Sequence, residues 1–436
     1  MGTLQDSLKN SETKKKVLFT FLIVSVLSVL TLIPVPGLDR SSALEAAAGW
    51  GSTGVIIDIL SNKAFGNIAV TSLGIYPFLV ASIIMQIVTL AVPKLRNLAQ
   101  SGEEGTKVIT KYTKIAAVAA AGLFAVLYCV GMRNAVTTNI NYWVAIVLCG
   151  ISVAVGSAFC GWCVELLNTK GIGDGLTIII VAGILRNLPH EIVNAYTSGN
   201  AFGMVTGIIF AVLCVVLCAG MIFGILFVNM GEKKLRIIFS KRTVGMKQYG
   251  MQNQVVPLKV TQAGITPIIY TLIVTLLPSV IIAMVVPGSD AVWAESWKNL
   301  PTSIAYIPFY IVFLVFFTYV FAMMQFNPYD ISNQIKQNGG YIQGIKPGKP
   351  TSQYLMAIYN NLNSADCFFL IVISVVPLAL SAIPVLNGIG YSGIGLLLVG
   401  GGFIEMKTLL DNALKAEEDK LKQAGKDKRH KNYNKK

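Results

Sequence analysis

Ten runs of mostly apolar residues, at 17–34, 73–92, 113–132, 142–167, 176–194, 202–229, 263–286, 304–326, 365–383 and 391–410, are each long enough to cross a bilayer as one helix. About 30 Å of hydrocarbon takes about 20 residues at 1.5 Å per residue. Lipid offers no partner to a backbone N–H or C=O, so runs of this length commit the chain to helices that satisfy their own hydrogen bonds. The residue content agrees: 54% is hydrophobic and only 13% charged, outside the range of a soluble globule. The chain reads as an all-α polytopic membrane protein, and an even number of spans puts both termini on one side.

Basic residues identify that side. Of the 35 Lys and Arg, 30 fall with the termini, the exceptions being Arg40, Lys63, Arg133, Arg186 and Lys298. The positive-inside rule therefore places both termini in the cytoplasm. Run 17–34 is followed by Val-Pro-Gly rather than a small-residue cleavage site and is too long for a signal-peptide core, so it reads as the first span. The net charge of +14 then lies on cytoplasmic loops and the tail, where it orients the chain and attracts anionic lipid. The loop 230–262 sets Lys233, Lys234, Arg236, Lys241, Arg242 and Lys247 against Glu232 alone, a pattern that also suits a phosphate backbone through counterion release.

Ionisable residues keep to the ends of the runs: Glu165, Asp366, Glu405 and Lys407 at cytoplasmic ends, Arg133, Arg186 and His190 at external ones. Ion-coupled transporters generally hold such a group at mid-depth. That argues against a secondary transporter for a small amphipathic solute, which stays as the alternative from another class. Cys160-Gly-Trp-Cys163 has the spacing of a redox or metal site but lies inside an apolar run, without a nearby His or a βαβ context. The GxGxxG match at Gly388, Gly390 and Gly393 follows no strand. Neither is assigned a cofactor or metal, and the seven cysteines read as small hydrophobes.

Five runs precede the short connection at 189–201 and five follow it. An odd number per half inverts the second half relative to the first, and inverted halves usually hold the functional pathway at their interface. The expected division is 1–194, then 195–410 with the loops 230–262 and 327–354, then a basic tail at 411–436. Between 38 and 72, the apolar stretch 55–65 (VIIDILSNKAF) spans only two to three turns, too short to cross. Taken alone it reads as a helix in the headgroup region.

Four separated stretches carry a more specific reading: GIYPFLVASIIMQ at 74–86, TKGIGDGLTIIIVAG at 169–183, PLKVTQAGITP at 257–267 and FNPYDISNQIKQNGGYIQGIKPGKPT at 326–351. With these in this order, the chain closely resembles the SecY family, the channel subunits of the bacterial Sec translocon. The resemblance implies ten transmembrane helices in two inverted halves, a re-entrant plug helix and a lateral gate, in the bacterial plasma membrane. It implies a channel that passes unfolded secretory polypeptides and releases signal sequences and membrane helices sideways. An accessory SecY-like channel with a restricted substrate set is the nearer alternative.

Matched residue by residue, the family implies a pore ring of Ile75, Leu79, Leu176, Ile180, Ile269 and Leu398. All are aliphatic, as a constriction that excludes ions by dewetting requires. It implies a plug bearing Ile56, Ile57, Leu60, Lys63 and Phe65, and gate positions at Val80, Phe124 and Thr261. Docking of a motor or ribosome falls to Lys233, Lys234, Arg236, Lys241, Arg242, Lys346 and Lys349. The gate seam lies between spans 73–92 and 113–132 on one side and 263–286 and 304–326 on the other, with Pro77, Pro267 and Pro278 expected to bend its helices. The family's Ser-Gly-Gly-Ala-Leu in the plug stands here as Ser61-Asn62-Lys63-Ala64-Phe65, and its Arg before Pro-Gly as Lys346, which keeps the charge without the bidentate fork. Asp174, where Asn is common, is placed to cap the helix that follows. The implied partners are SecE-like and SecG-like small membrane subunits, the SecA motor ATPase, the ribosome, signal peptides and nascent chains, with SecDF and YidC beyond them. The chain itself is read as no enzyme, its energy coming from the ribosome or SecA.

Overall fold

The structure, a computed structural model, describes residues 11–381 apart from 138–140, 172–173, 201–202, 230, 240–242, 245–246, 249–252, 260–263, 265, 287–290, 326–327, 338–339 and 347. Helices overlie every expected span from the first to the ninth: α1 Ser11–Leu30, α4 Tyr76–Ala91, α6 Glu103–Gly131, α7 Tyr142–Lys170, α8 Gly175–Asn200, α9 Met204–Asn229, α10 Thr266–Val285, α12 Tyr306–Gln325 and α14 Lys349–Ser381. Between them lie α2 Arg40–Ala48, α3 Gly51–Leu60, α5 Pro93–Gln100, α11 Val292–Lys298 and α13 Pro328–Gln337. The tenth expected span, 391–410, and the tail 411–436 lie outside the described residues. Of the described helices, α6, α7, α10, α12 and α14 meet the length and apolarity needed to cross a membrane singly, and the pairs α2/α3 and α4/α5 do so only jointly, bent by 114° and 104°.

The described residues fall into two compact units, one of residues up to 189 together with 278–299, the other of 190–277 and 300–381. In the first, α6 packs against both α4 and α7. Ala117 and Ala121 on α6 are buried, small side chains of the kind that let apolar helices approach closely. Lys114 on α6 and Glu165 on α7 form an ion pair. In the second unit, α12 packs on α14. The Thr275 hydroxyl on α10 and the Tyr306 hydroxyl on α12 share a buried 2.7 Å hydrogen bond.

Outside the apolar runs the chain is more ordered than a loop reading expects. Strands β1 Glu232–Phe239 and β4 Asn253–Lys259 form an antiparallel hairpin, and β5 Gly340–Ile342 joins its other edge with Ile237 opposite Ile342. The short pair β2 Thr243–Val244 and β3 Lys247–Gln248 lies within the hairpin connection. Leu235 and Ile237 alternate with Lys234 and Arg236 along β1, the period of a half-buried strand. They are buried with Ile335 of α13, Ile342 of β5, and Leu355 and Ile358 of α14. The segments 230–262 and 327–354 therefore share one core.

Three further expectations are corrected. Helix α8 continues to Asn200, so the connection at 189–201 is largely helical, with Pro189 inside it. Helix α14 runs for 33 residues and starts at Lys349, well before the apolar run at 365. Pro77 and Pro267 sit in the first turns of α4 and α10, where the N–H that proline lacks has no helical partner to lose. Only Pro278 of the three lies in a helix interior, where it removes a hydrogen bond.

Candidate functional site

The first unit folds α3 back into its own bundle. Asp39 caps α2, its carboxylate accepting from the Ser42 N–H, and hydrogen bonds donated by the Ser41 hydroxyl, and then by the Ser42 N–H and hydroxyl, lower its pKa. The chain reverses at Gly51, whose φ of +60° lies in the left-handed region that suits glycine. On α3, Ile56, Ile57 and Leu60 are buried, as is Phe65 just after it. The stretch that in isolation reads as a headgroup helix is instead part of the core, because Trp50 anchors its start. The Trp50 ring is fully buried, 4.9 Å from the Phe65 ring and 6.1 Å from that of Tyr128.

Polar ties hold α3 at both ends. At its start the Thr53 hydroxyl donates to the Lys298 carbonyl at 2.7 Å and the Ser52 hydroxyl to the same oxygen at 3.1 Å, while the Ser52 N–H donates to Asn299 Oδ1 at 3.3 Å. The last carbonyls of a helix have no partner within it, and here α3 caps the end of α11. At its far end, Asn62 and Lys63 adopt left-handed conformations, with φ of 59° and 63°. The Gly66 N–H donates to Asp58 Oδ1 at 2.6 Å. Arg186 of α8 donates to the Thr31 hydroxyl at 2.7 Å and to the Asn62 carbonyl at 3.5 Å. The backbone at Gly74 comes so close that a β-carbon there would sit 2.6 Å from Ser61 Cα. Lys63 is half-buried, and its ammonium makes no ion pair among the described residues.

Four of the six aliphatic positions lie in this unit and are buried: Ile75 and Leu79 on or beside α4, Leu176 and Ile180 on α8. Ile75 follows Gly74, and Ile180 lies one turn before Gly183, where a β-carbon would touch Asn62. The residues beside the returning helix are thus apolar on both flanks. Ile269 is buried in the second unit on α10, and Leu398 lies outside the described residues. Val80 and Phe124 are both buried, and the Phe124 ring stands edge-on to Tyr76 with centroids 5.5 Å apart. Thr261 is outside the described residues.

In the second unit, Lys233 is exposed on β1, and Lys346 and Lys349 are exposed where the chain enters α14. Lys234 and Arg236 share the strand with Lys233, opposite Pro257 and Val255. Lys241 and Arg242 lie outside the described residues. The Lys346 carbonyl accepts from the Thr351 hydroxyl at 2.9 Å, which pins the backbone under an exposed side chain. Asp174 caps α8 as expected, accepting from the N–H and hydroxyl of Thr177 at 3.2 and 2.8 Å. Among the described residues no His, Cys, Asp and Glu cluster could hold a metal ion. Cys160 and Cys163 are buried on α7 as free thiols.

The tie to Lys298 and Asn299, the anchor at Trp50 and the role of Arg186 were not read from the sequence. A signal existed only for Arg186, a lone cation in an apolar run.

A bundle of long apolar helices that buries a short re-entrant helix between aliphatic neighbours is a helical membrane channel. Solved structures share this fold: "The structure of a protein conducting channel" aligns with a TM-score of 0.60 at 17% identity over 92% of each chain, and "Sec61 in the Canine ribosome-channel complex from the endoplasmic reticulum" with 0.57 at 16% over 92% of each. The SecY family profile matches residues 69–406. "Protein translocase subunit SecY" of Corynebacterium glutamicum is 30% identical over 398 residues, covering 86% of this chain and 88% of the relative. The Thermotoga maritima protein of that name is 31% identical over 385 residues, 86% of each. The chain belongs to the SecY family.

Proposed function

We propose that this chain is the central protein-conducting channel of a Sec translocon in the bacterial plasma membrane, with both termini cytoplasmic. It passes unfolded secretory polypeptides and releases signal sequences and membrane helices through a lateral gate beside Val80 and Phe124. The burial of α3 carries the reading: a helix too short to cross, enclosed by the bundle and tied by a handful of hydrogen bonds, is suited to closing a pore and leaving it. Ile75, Leu79, Leu176, Ile180, Ile269 and Leu398 are the proposed seal, since aliphatic side chains give ions no substitute for hydration yet yield to a passing chain. The halves 1–194 and 195–410 would form its two sides.

Energy comes from outside the chain. Lys233, Lys346 and Lys349 are exposed on the β1/β5/α14 layer and offer positive charge to ribosomal RNA or to acidic groups of SecA. SecE-like and SecG-like subunits complete the channel. The test is reconstitution with those subunits and SecA in proteoliposomes. ATP-dependent protection of a secretory precursor from protease is the expected result. Counterflow of a small solute without precursor protection would overturn it.

A further inference from the structure

A groove of about 600 Å³ runs between α6 and α7, and Arg133 is the one charged residue among those that line it. Glycines make it: a β-carbon at Gly122 would meet nothing within 4 Å, and one at Gly150 only the Cys129 sulfur, at 3.3 Å. Val126, Val147 and Ile151 line it and are exposed. Polar character gathers at one end, where Arg133, Tyr142 and Trp143 line the mouth. The two rings meet edge-on at 5.7 Å, an amphipathic pair of the kind that sits at headgroup level. Arg133 is exposed and makes no hydrogen bond or ion pair among the described residues. From Tyr142 to Ala154 the groove follows α7 for about 18 Å at 1.5 Å per residue. Half of the hydrocarbon core is about 15 Å, so the groove has the depth of one leaflet.

We propose that this groove binds an anionic glycerophospholipid, one acyl chain lying along Gly122 and Gly150 and the phosphate on the Arg133 guanidinium. The planar fork of arginine matches phosphate oxygens in a bidentate pair. A helix of another membrane protein fits less well. An apolar helix face laid against the groove leaves the exposed Arg133 unmatched, whereas a phosphate group pairs with it. The site is independent of the translocation reading; the proposed orientation, with both termini cytoplasmic, makes its leaflet the external one.

The test uses the full chain with its membrane partners, reconstituted in vesicles holding phosphatidylglycerol with a diazirine on the acyl chain, or the phosphatidylcholine counterpart. Adducts are mapped by mass spectrometry after photolysis. With phosphatidylglycerol, adducts should concentrate on the groove residues of α6 and α7. Arg133→Gln should lower that labelling about fivefold, the equivalent of about 1 kcal/mol for one basic residue at an anionic surface, and leave phosphatidylcholine labelling unchanged. Gly122→Phe, whose ring would enter open space, should abolish groove adducts while exposed Leu18 and Phe21 of α1 still label, which reports an intact fold. Equal groove labelling by the two lipids with no response to Arg133→Gln would overturn the proposal. So would a groove without lipid adducts that cross-links to a helix of another protein.

Discussion

Removing the hydroxyl of Thr53 should loosen the returning helix without disturbing its packing. Thr53 is fully buried, and its hydroxyl donates at 2.7 Å to the Lys298 carbonyl, which also accepts from Ser52 at 3.1 Å. Thr53→Val preserves the shape of the side chain and deletes one bond. Because Ser52 still serves the carbonyl, the loss is that of a net hydrogen bond, about 1 kcal/mol, or about a fivefold rise in the displaced population. Adding Ser52→Ala strands the carbonyl in a buried place and brings the total to about 3 kcal/mol, more than a hundredfold, with the two effects exceeding their sum because they share an acceptor. Two readouts apply: open probability of single channels in planar bilayers, and the rate at which Ile56→Cys in a Cys-free background reacts with a soluble thiol reagent. Both should rise in the order wild type, single variant, double variant. Wild-type values for the double variant would refute the idea that this tie holds the helix, and a rise in the single variant as large as in the double would refute the shared-acceptor account.

Glycine at Asn62 and Lys63 should have the opposite sign, because it removes the left-handed cost of about 1–2 kcal/mol at a residue with a side chain. Lys63→Gly should slow Ile56→Cys labelling about fivefold, and Asn62→Gly by less, since Asn tolerates that region. Replacing Ile75, Ile180 and Ile269 together by Ser should raise resting ion leak in bilayers through hydration of the constriction, whereas the same change at exposed Leu18, Leu22 and Val29 should not; equal leak would mean the first three are ordinary packing. Lys346→Ala should slow SecA-driven translocation into vesicles more than ribosome-driven insertion, and Lys346→Arg should preserve it; an unimpaired Ala variant would remove this position from motor coupling.

The spans were legible because lipid imposes a length directly on sequence, and helices duly overlie the nine expected runs that the structure describes. Asp174 was legible for a similar reason: a cap acts on its own helix. The sheet was not, since Ile237 finds Ile342 across more than a hundred residues and charge drew attention away from the alternation along β1. Pro77 and Pro267 misled because proline bends a helix only when the helix begins well before it, and where α4 and α10 begin is decided by tertiary contacts. The Lys298 tie is a backbone carbonyl 245 residues from Thr53, and no side-chain pattern announces such a contact. The returning helix, proposed as the plug, illustrates both sides. Its residues came from family resemblance, while hydropathy alone favoured the membrane surface and knew nothing of the Trp50, Phe65 and Tyr128 rings that enclose it.

Helix α14 sets a mechanical length scale. Its 33 residues make a rod of about 50 Å, against about 30 Å of hydrocarbon, so about 20 Å stands clear of the lipid as a handle. A helix resists compression along its axis far better than a loop does, and this one has its exposed Lys349 at the tip and shares a hydrophobic core with the sheet through Leu355 and Ile358. Pro377 is the interior point at which the rod lacks a backbone hydrogen bond, so a push at the tip would meet its first weak link there. If a partner docks on the basic surface as proposed, this rod would link its grip outside the lipid to the apolar end of the same helix.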